Sequence, residues 1–291
     1  FHLQSAIHFF DNEHLHLSQG FHFILWVLNQ IGDLFSFYYL LPALWAVAIA
    51  LVLFLIIYHK SNQQFYLALL TIIFFASIKS NINLLGLWFF TPLTFSIPFI
   101  YLYLYLFTEG IIQNKNKWLI VAGAIMIFLI PIHAISVLFS IPILIIYTLW
   151  HWPQTKKHLS TIVIFLSLIT TVGLAFFAWF SQARGPALLG ELFSHLIFPY
   201  GWGITELQNN PLETYSLIGW LLAIGGFYLL IKSPQHRNHY LLFWLWPAFL
   251  LVPIILYRLM ALDPLIDPIS LLSPYQRNLY YLTLALPFLS A

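Results

Sequence analysis

The first 22 residues concentrate side chains that could carry acid–base or metal chemistry. They hold five of the chain's 12 histidines and two of its nine acids, Asp11 and Glu13. Together with His14 and His16, these carboxylates are ligand types suited to a divalent metal, although their spacing follows no metal motif of known geometry. The competing interpretation is a solvated loop between two interfacial helices, in which these side chains are simply exposed to water.

Three arginines, Arg184, Arg258 and Arg277, are candidates for binding a phosphate group. The planar guanidinium fork binds phosphate through two hydrogen bonds, whereas a lysine is a point charge. Arg277 and Tyr275 stand just before a helix that the sequence predicts to begin near Asn278. The alternative for each arginine is an ion pair with a nearby acid, or snorkelling to lipid phosphates.

Two further histidines lie next to apolar segments. His22 belongs to "QGFHFILWVLNQIG", which predicts a short helix over residues 20–31 lying in a membrane interface, and a similar helix is predicted over 1–10. His133 belongs to "FLIPIHAISV", where the chain is expected to turn near one membrane surface. Each histidine is a candidate substrate contact, and the alternative is an ordinary polar residue at a membrane boundary.

The composition requires a bilayer around these segments. The chain is 61% hydrophobic and 7% charged, whereas soluble domains carry about 25% charged residues. We therefore expect an all-α, polytopic bundle with about eight or nine spans. The apolar runs predict spans at 34–58, 65–79, 91–108, 118–131, 134–150, 159–180, 215–231, 240–257 and 279–291.

Residues 118–150 decide the topology. Pro131 and His133 at the middle of this run favour a tight hairpin over one long helix. With residues 1–33 outside, the hairpin scheme places seven Lys and Arg inside and four outside, whereas a single span gives six and five. The positive-inside rule therefore favours the hairpin.

The acids divide more sharply than the basic residues in this scheme. Eight acids lie outside and only Glu109 lies inside. The outer segments 1–33, 181–214 and 258–278 are also longer than the inner loops. We therefore divide the chain into an outer loop, 1–33, and a transmembrane domain, 34–291, and expect function at the outer face.

Several classes are excluded or disfavoured by the same composition. The net charge is +2 and no basic stripe exists, so we expect no nucleic-acid partner. The chain has no cysteine, which removes disulfides and thiolate chemistry.

The membrane lipids are expected partners, and the plasma membrane is the expected location of this multi-pass protein.

The order of elements resembles the GT-C superfamily of integral-membrane glycosyltransferases. The resemblance lies in "FHLQSAIHFF", "QGFHFILWVLNQIG", "FLIPIHAISVLFSIPILIIY" and "SPYQRNLYYLTLALPFLSA", and no WWD-type signature is present. It implies a polyprenyl-phosphate-linked sugar donor used at the outer face. It further implies a carboxylate in the first outer loop as catalytic base and an arginine before a late span as phosphate partner.

The resemblance therefore assigns catalysis to Asp11 and Glu13, and donor binding to Arg277, Arg258 and Arg184, with arginine or a divalent metal stabilising the leaving phosphate. The chain begins and ends within patterned segments, so we expect a piece of a longer protein whose main catalytic acid precedes Phe1. A transporter or flippase for a lipid or small solute is the alternative function, and a non-catalytic assembly subunit is a third. A transporter would carry charges or broken helices at mid-membrane.

The topology can be tested by thiol labelling, because the chain has no native cysteine. In intact cells, Leu207→Cys should react with a membrane-impermeant maleimide, whereas Lys157→Cys should react only after permeabilisation. Labelling of Lys157→Cys from outside would overturn the scheme.

Overall fold

A computed structural model describes residues 19–78, 90–175, 215, 217–232, 240–260 and 272–291, and for 272–280 the backbone alone. All regular structure in these ranges is helical, which confirms the predicted all-α class. Five of the described helices are long and apolar enough to cross a membrane, by length and composition. The described helices are α1 (Gln19–Ile31), α2 (Leu34–Lys60), α3 (Phe65–Ala76), α4 (Pro92–Ile112), α5 (Asn116–Trp150), α6 (Trp152–Ala175), α7 (Leu217–Lys232), α8 (Leu241–Met260) and α9 (Leu272–Ser290).

The helix predicted at 20–31 is confirmed as α1, and the one predicted at 1–10 lies outside the described residues. The predicted start near Asn278 is wrong, because α9 begins at Leu272 and Arg277 is its sixth residue. Pro274 is the third residue of α9, a position where its missing N–H removes no helical hydrogen bond. An argument that places Arg277 at a helix N-terminus therefore fails.

Helix α5 is 35 residues long, and His133 at its middle has non-helical angles of φ −155° and ψ 73°. Pro131 weakens the helix at the same place, because it lacks an N–H and its ring clashes with the carbonyl group one turn earlier. A straight helix of this length would extend about 51 Å, well beyond the roughly 30 Å of a hydrocarbon core. The chain must therefore change direction, and the contacts of α5 show by how much.

The two halves of α5 run antiparallel. One small apolar pocket is lined by residues from both halves, Leu119, Gly123 and Met126 before the kink and Ile141, Leu144 and Thr148 after it. His158, eight residues beyond the end of α5, hydrogen-bonds through Nδ1 with Oδ1 of Asn116, the first residue of α5. A straight α5 would hold these residues far apart. The structure therefore contains the predicted hairpin, with its turn at 131–133.

The chain divides into two compact units, residues 1–49 with 87–189 and residues 50–86 with 190–291. In the first unit, α4 packs along α5: Phe99 contacts Phe128 before the kink, and Tyr103 contacts Ser136 after it. An aromatic and aliphatic core closes the turn end of this unit. Its buried members are Phe21, Leu25, Leu34, Phe90, Phe95 and Ile132.

In the second unit, α9 packs against α7, α8 and α3. Tyr215 donates a hydrogen bond to Oγ of Ser290 at 3.0 Å, and Ser290 donates to the Gly219 carbonyl at 2.9 Å. The chain of hydrogen bonds joins the start of α7 to the end of α9.

The hairpin can be tested by cross-linking. The double variant Asn116→Cys/His158→Cys should join through a short bifunctional maleimide, because these side chains touch. The control Asn116→Cys/Ile130→Cys should not, since fourteen residues of helix separate its thiols by about 21 Å. Mass spectrometry of the digested protein measures both. Failure of the Asn116→Cys/His158→Cys pair to cross-link would contradict the hairpin.

Candidate functional site

The candidate site lies at the α5 turn and is built around His133. Nδ1 of His133 hydrogen-bonds with Oγ of Ser136 at 2.6 Å, one helical turn further along the chain. The backbone carbonyl of Ser136 in turn accepts a hydrogen bond from the Tyr103 hydroxyl at 3.3 Å. Because Ser136 and Tyr103 are both buried, the half-buried imidazole is held by rigid neighbours. We call His133, Ser136, Tyr103 and His22 the turn site.

Helix α1 brings His22 to the same turn. A Cβ added to Gly20 would lie 3.0 Å from the backbone of Pro131, so the backbones of α1 and of the α5 turn lie close together there. Phe21 packs in one core cluster with Ile132. The residues flanking His22 therefore contact the residues flanking His133, and His22 itself is 1% exposed. The sequence singled out both histidines, and the structure brings their elements together.

The burial of α1 follows from its sequence. Apolar and polar residues alternate at helical spacing, and the buried members are Gln19, Phe21, His22 and Leu25. Phe23 and Ile31, on other faces, are exposed. A helix of 13 residues is too short to span roughly 30 Å of hydrocarbon. Helix α1 therefore does not cross a membrane, and its buried face packs on the α5 turn.

The hydrogen bond of Nδ1 to Ser136 directs the other ring nitrogen of His133 away from Ser136. An imidazole held in this way can accept or give a proton at Nε2, or hydrogen-bond a substrate oxygen. Ser136 is 1% exposed, which suits an orienting role better than that of a nucleophile. The turn site can therefore position a polar group and move a proton at the end of an apolar bundle.

A second group of polar residues lies at the opposite end of the same hairpin. Glu109 on α4 is buried and accepts a hydrogen bond from Nε2 of Gln113. His158 hydrogen-bonds with Asn116, and His151 packs against Tyr147 with ring centroids 4.7 Å apart and the rings tilted by 46°. Lining residues between the two ends, such as Met126 and Leu144, are apolar. The polar groups of the hairpin are thus gathered at its ends.

The other predicted site residues are placed as follows. Asp11, Glu13 and Arg184 lie outside the described residues. Arg258 is half-buried in the last turn of α8, and α9 contains Tyr275 and Arg277. These three belong to the second unit and the two histidines to the first.

The acidic opening segment holds the carboxylates that could bind a metal. Within the described ranges, no group of three His, Asp or Glu side chains could hold a metal ion. The proposed ligands Asp11 and Glu13 fall outside those ranges. The described residues therefore supply no donor set that fits a divalent ion.

Sequence reasoning missed Ser136 and Tyr103 at the turn and His158 with Asn116 at the opposite end. Ser136 could have been found, because it stands three residues after His133 in "PIHAIS", a spacing that places two side chains on one helical face. Tyr103 and Asn116 carry no such local signal. Their partners lie 33 and 42 residues away.

No family model, no curated protein and no solved structure matches this chain. The fold and the apolar helices define its class: it is a polytopic α-helical membrane protein.

The packing of α1 on the turn can be tested at Gly20. Gly20→Ala should destabilise the protein by about 1–3 kcal/mol, because the new methyl group overpacks the Pro131 backbone. Gly173→Ala is the matched control in α6, where an added Cβ meets nothing within 4 Å and the better helix propensity of alanine should slightly stabilise. Thermal unfolding in detergent measures both. Equal melting temperatures would contradict the close approach.

Proposed function

We propose that this chain is part of a membrane glycosyltransferase that moves a sugar from a polyprenyl-phosphate-type donor to an acceptor at the outer face of the plasma membrane. One observation supports it above the others: two histidine-bearing elements meet at the end of an apolar hairpin. A transferase that uses a lipid-linked donor works at the membrane surface, where the donor phosphate lies. The type of reaction is inferred from the resemblance of the sequence to the GT-C glycosyltransferases.

The distribution of polar groups favours a transferase over a transporter. A solute path across the membrane needs polar or charged groups, or broken helices, at mid-membrane. Among the described residues of the hairpin, polar side chains cluster at its two ends with Ser140 between them, and the described pocket between its halves is lined by apolar side chains with Thr148 as the exception. This arrangement suits a reaction at the membrane surface on a substrate whose apolar chain lies in the bilayer.

The proposed reaction forms one bond and breaks another. The acceptor oxygen bonds the anomeric carbon of the sugar, the bond from that carbon to the phosphate oxygen breaks, and the acceptor proton passes to a base. His133 or an outer-loop carboxylate, Asp11 or Glu13, is the base in this proposal. Arg277, Arg258 and Arg184 are the candidates that stabilise the departing phosphate, and His22 and Tyr275 contact the donor or acceptor. No step is routed through a metal.

The test uses the full-length protein in liposomes with polyprenyl-phosphate-linked [¹⁴C]glucose and, separately, [¹⁴C]mannose, in the presence of a membrane extract as acceptor. Label should leave the organic-soluble donor fraction. His133→Ala should slow transfer by at least about tenfold, because a positioned acid–base group contributes on the order of 10²–10⁴ and a lost hydrogen bond roughly ten. The matched control is His151→Ala, at the opposite end of the same hairpin, which should retain transfer within about twofold.

Arg277→Lys in the same assay should reduce transfer roughly ten- to hundredfold, since one charge-assisted hydrogen bond is lost. Equal losses in the His133→Ala and His151→Ala variants would remove the turn site from the mechanism. Movement of intact donor between leaflets, with no transfer of label, would favour a flippase instead.

A further inference from the structure

The second unit contains a cavity of about 410 Å³. Four helices, α3, α7, α8 and α9, and the end of α2 contribute its walls, and all the lining residues belong to this unit. A volume of this size falls in the range of small-molecule sites, roughly 300–1,000 Å³. The turn site contributes no residue to it.

One end of the cavity is polar and positively charged. Lys60, the last residue of α2, lines it and is 6% exposed. Ser61 lies beside it, and Gln64 and Tyr240 complete this end. The Tyr240 hydroxyl donates to the Lys60 carbonyl at 3.4 Å, which connects the start of α8 to the end of α2.

The hydroxyl of Ser61 is an unsatisfied group in this end of the cavity. Ser61 is 5% exposed, and its Oγ has no hydrogen-bond partner in the described structure. Buried polar atoms are almost always paired, so each exception calls for a partner from outside the protein. Lys60 and Ser61 line the same cavity, and an ammonium group and a hydroxyl can both donate to an anionic oxygen.

The rest of the cavity is apolar. Leu67 on α3, Leu230 on α7 and Phe288 on α9 line its walls. The outward faces of α3 and α7 carry exposed apolar side chains, including Ile73 and Leu221. Such faces are typical of helices that contact lipid. The cavity therefore joins a small cationic end to apolar walls between lipid-facing helices.

We propose that this cavity binds an anionic phospholipid, with its phosphate at Lys60 and Ser61 and an acyl chain along the walls formed by Leu67, Leu230 and Phe288. A free anion would satisfy only the polar end, and a neutral apolar molecule would satisfy only the walls. The Lys and Arg distribution of the sequence places Lys60 on the inner side, where a membrane carries its anionic lipids.

The test is native mass spectrometry of the full-length, detergent-purified protein titrated with phosphatidylglycerol or with phosphatidylcholine of the same acyl chains. Phosphatidylglycerol should bind more tightly. Lys60→Gln should weaken its binding by roughly ten- to hundredfold, as expected for one lost charge-assisted contact. The matched control is Lys157→Gln, which removes an exposed lysine predicted on the same membrane side and should change binding by less than about twofold.

Two variants guard against misfolding of Lys60→Gln. Ser61→Ala removes only the hydroxyl that the phosphate accepts from and should weaken phosphatidylglycerol binding, whereas Leu67→Trp narrows the cavity without a charge change and should weaken the binding of both lipids. Equal effects of Lys60→Gln and Lys157→Gln would indicate general charge attraction and overturn the proposal. Displacement of the lipid by inorganic phosphate at equal concentration would overturn it too, because the site would then recognise phosphate without chains. Unchanged binding in Leu67→Trp would exclude this cavity.

Discussion

The organisation of the first unit depends on one constraint, the reversal of the chain at 131–133. An apolar helix of 35 residues is longer than a bilayer can cover, and every backbone group that leaves a helix in lipid needs a partner. Pro131 and His133 place the break where helix α1 and the core around Phe21 cover it. The turn is therefore packed against protein on one side, with Ile132 buried and Pro131 and His133 half-buried, and irregular backbone is tolerated where protein covers it.

The position of this break also determines where chemistry can occur. Because the two halves of the hairpin have similar lengths, the residues at 133–136 lie at one end, and Asn116 meets His158 at the other. Hydrogen bonds hold polar side chains at both ends, His133 to Ser136 at the turn and Asn116 to His158 at the other, and apolar side chains line the pocket between the two halves. The same separation supports surface chemistry as the proposed function and argues against a polar path through the first unit.

The main feature of the second unit is a cavity between its helices. Its helices close around a cavity rather than a tight turn, and the cavity has one cationic end beside Lys60. An interior that protein side chains leave unfilled loses packing contacts on its walls. A lipid chain restores those contacts, and its phosphate gives the Ser61 hydroxyl an acceptor. A structural lipid in this unit is compatible with a transferase or with any other function of the first.

The sequence by itself determined the all-α class and the approximate positions of the described apolar helices, five of which are long enough to cross a membrane. Scarce charge and long apolar runs are compatible only with a helical membrane protein, because the bilayer imposes a length on each helix. Pro131 and His133 marked the hairpin turn, because a proline is a local signal in the sequence. Composition also singled out His22 and His133 as polar residues in apolar segments. It misplaced the start of α9, since a proline is compatible with either side of a helix start. Only the tertiary structure decided that α1 packs on the hairpin turn, that Tyr103 holds Ser136, and that Lys60 and Ser61 share a cavity with α9. These pairings join residues far apart in the chain, and their geometry depends on how helices pack, which no local pattern records.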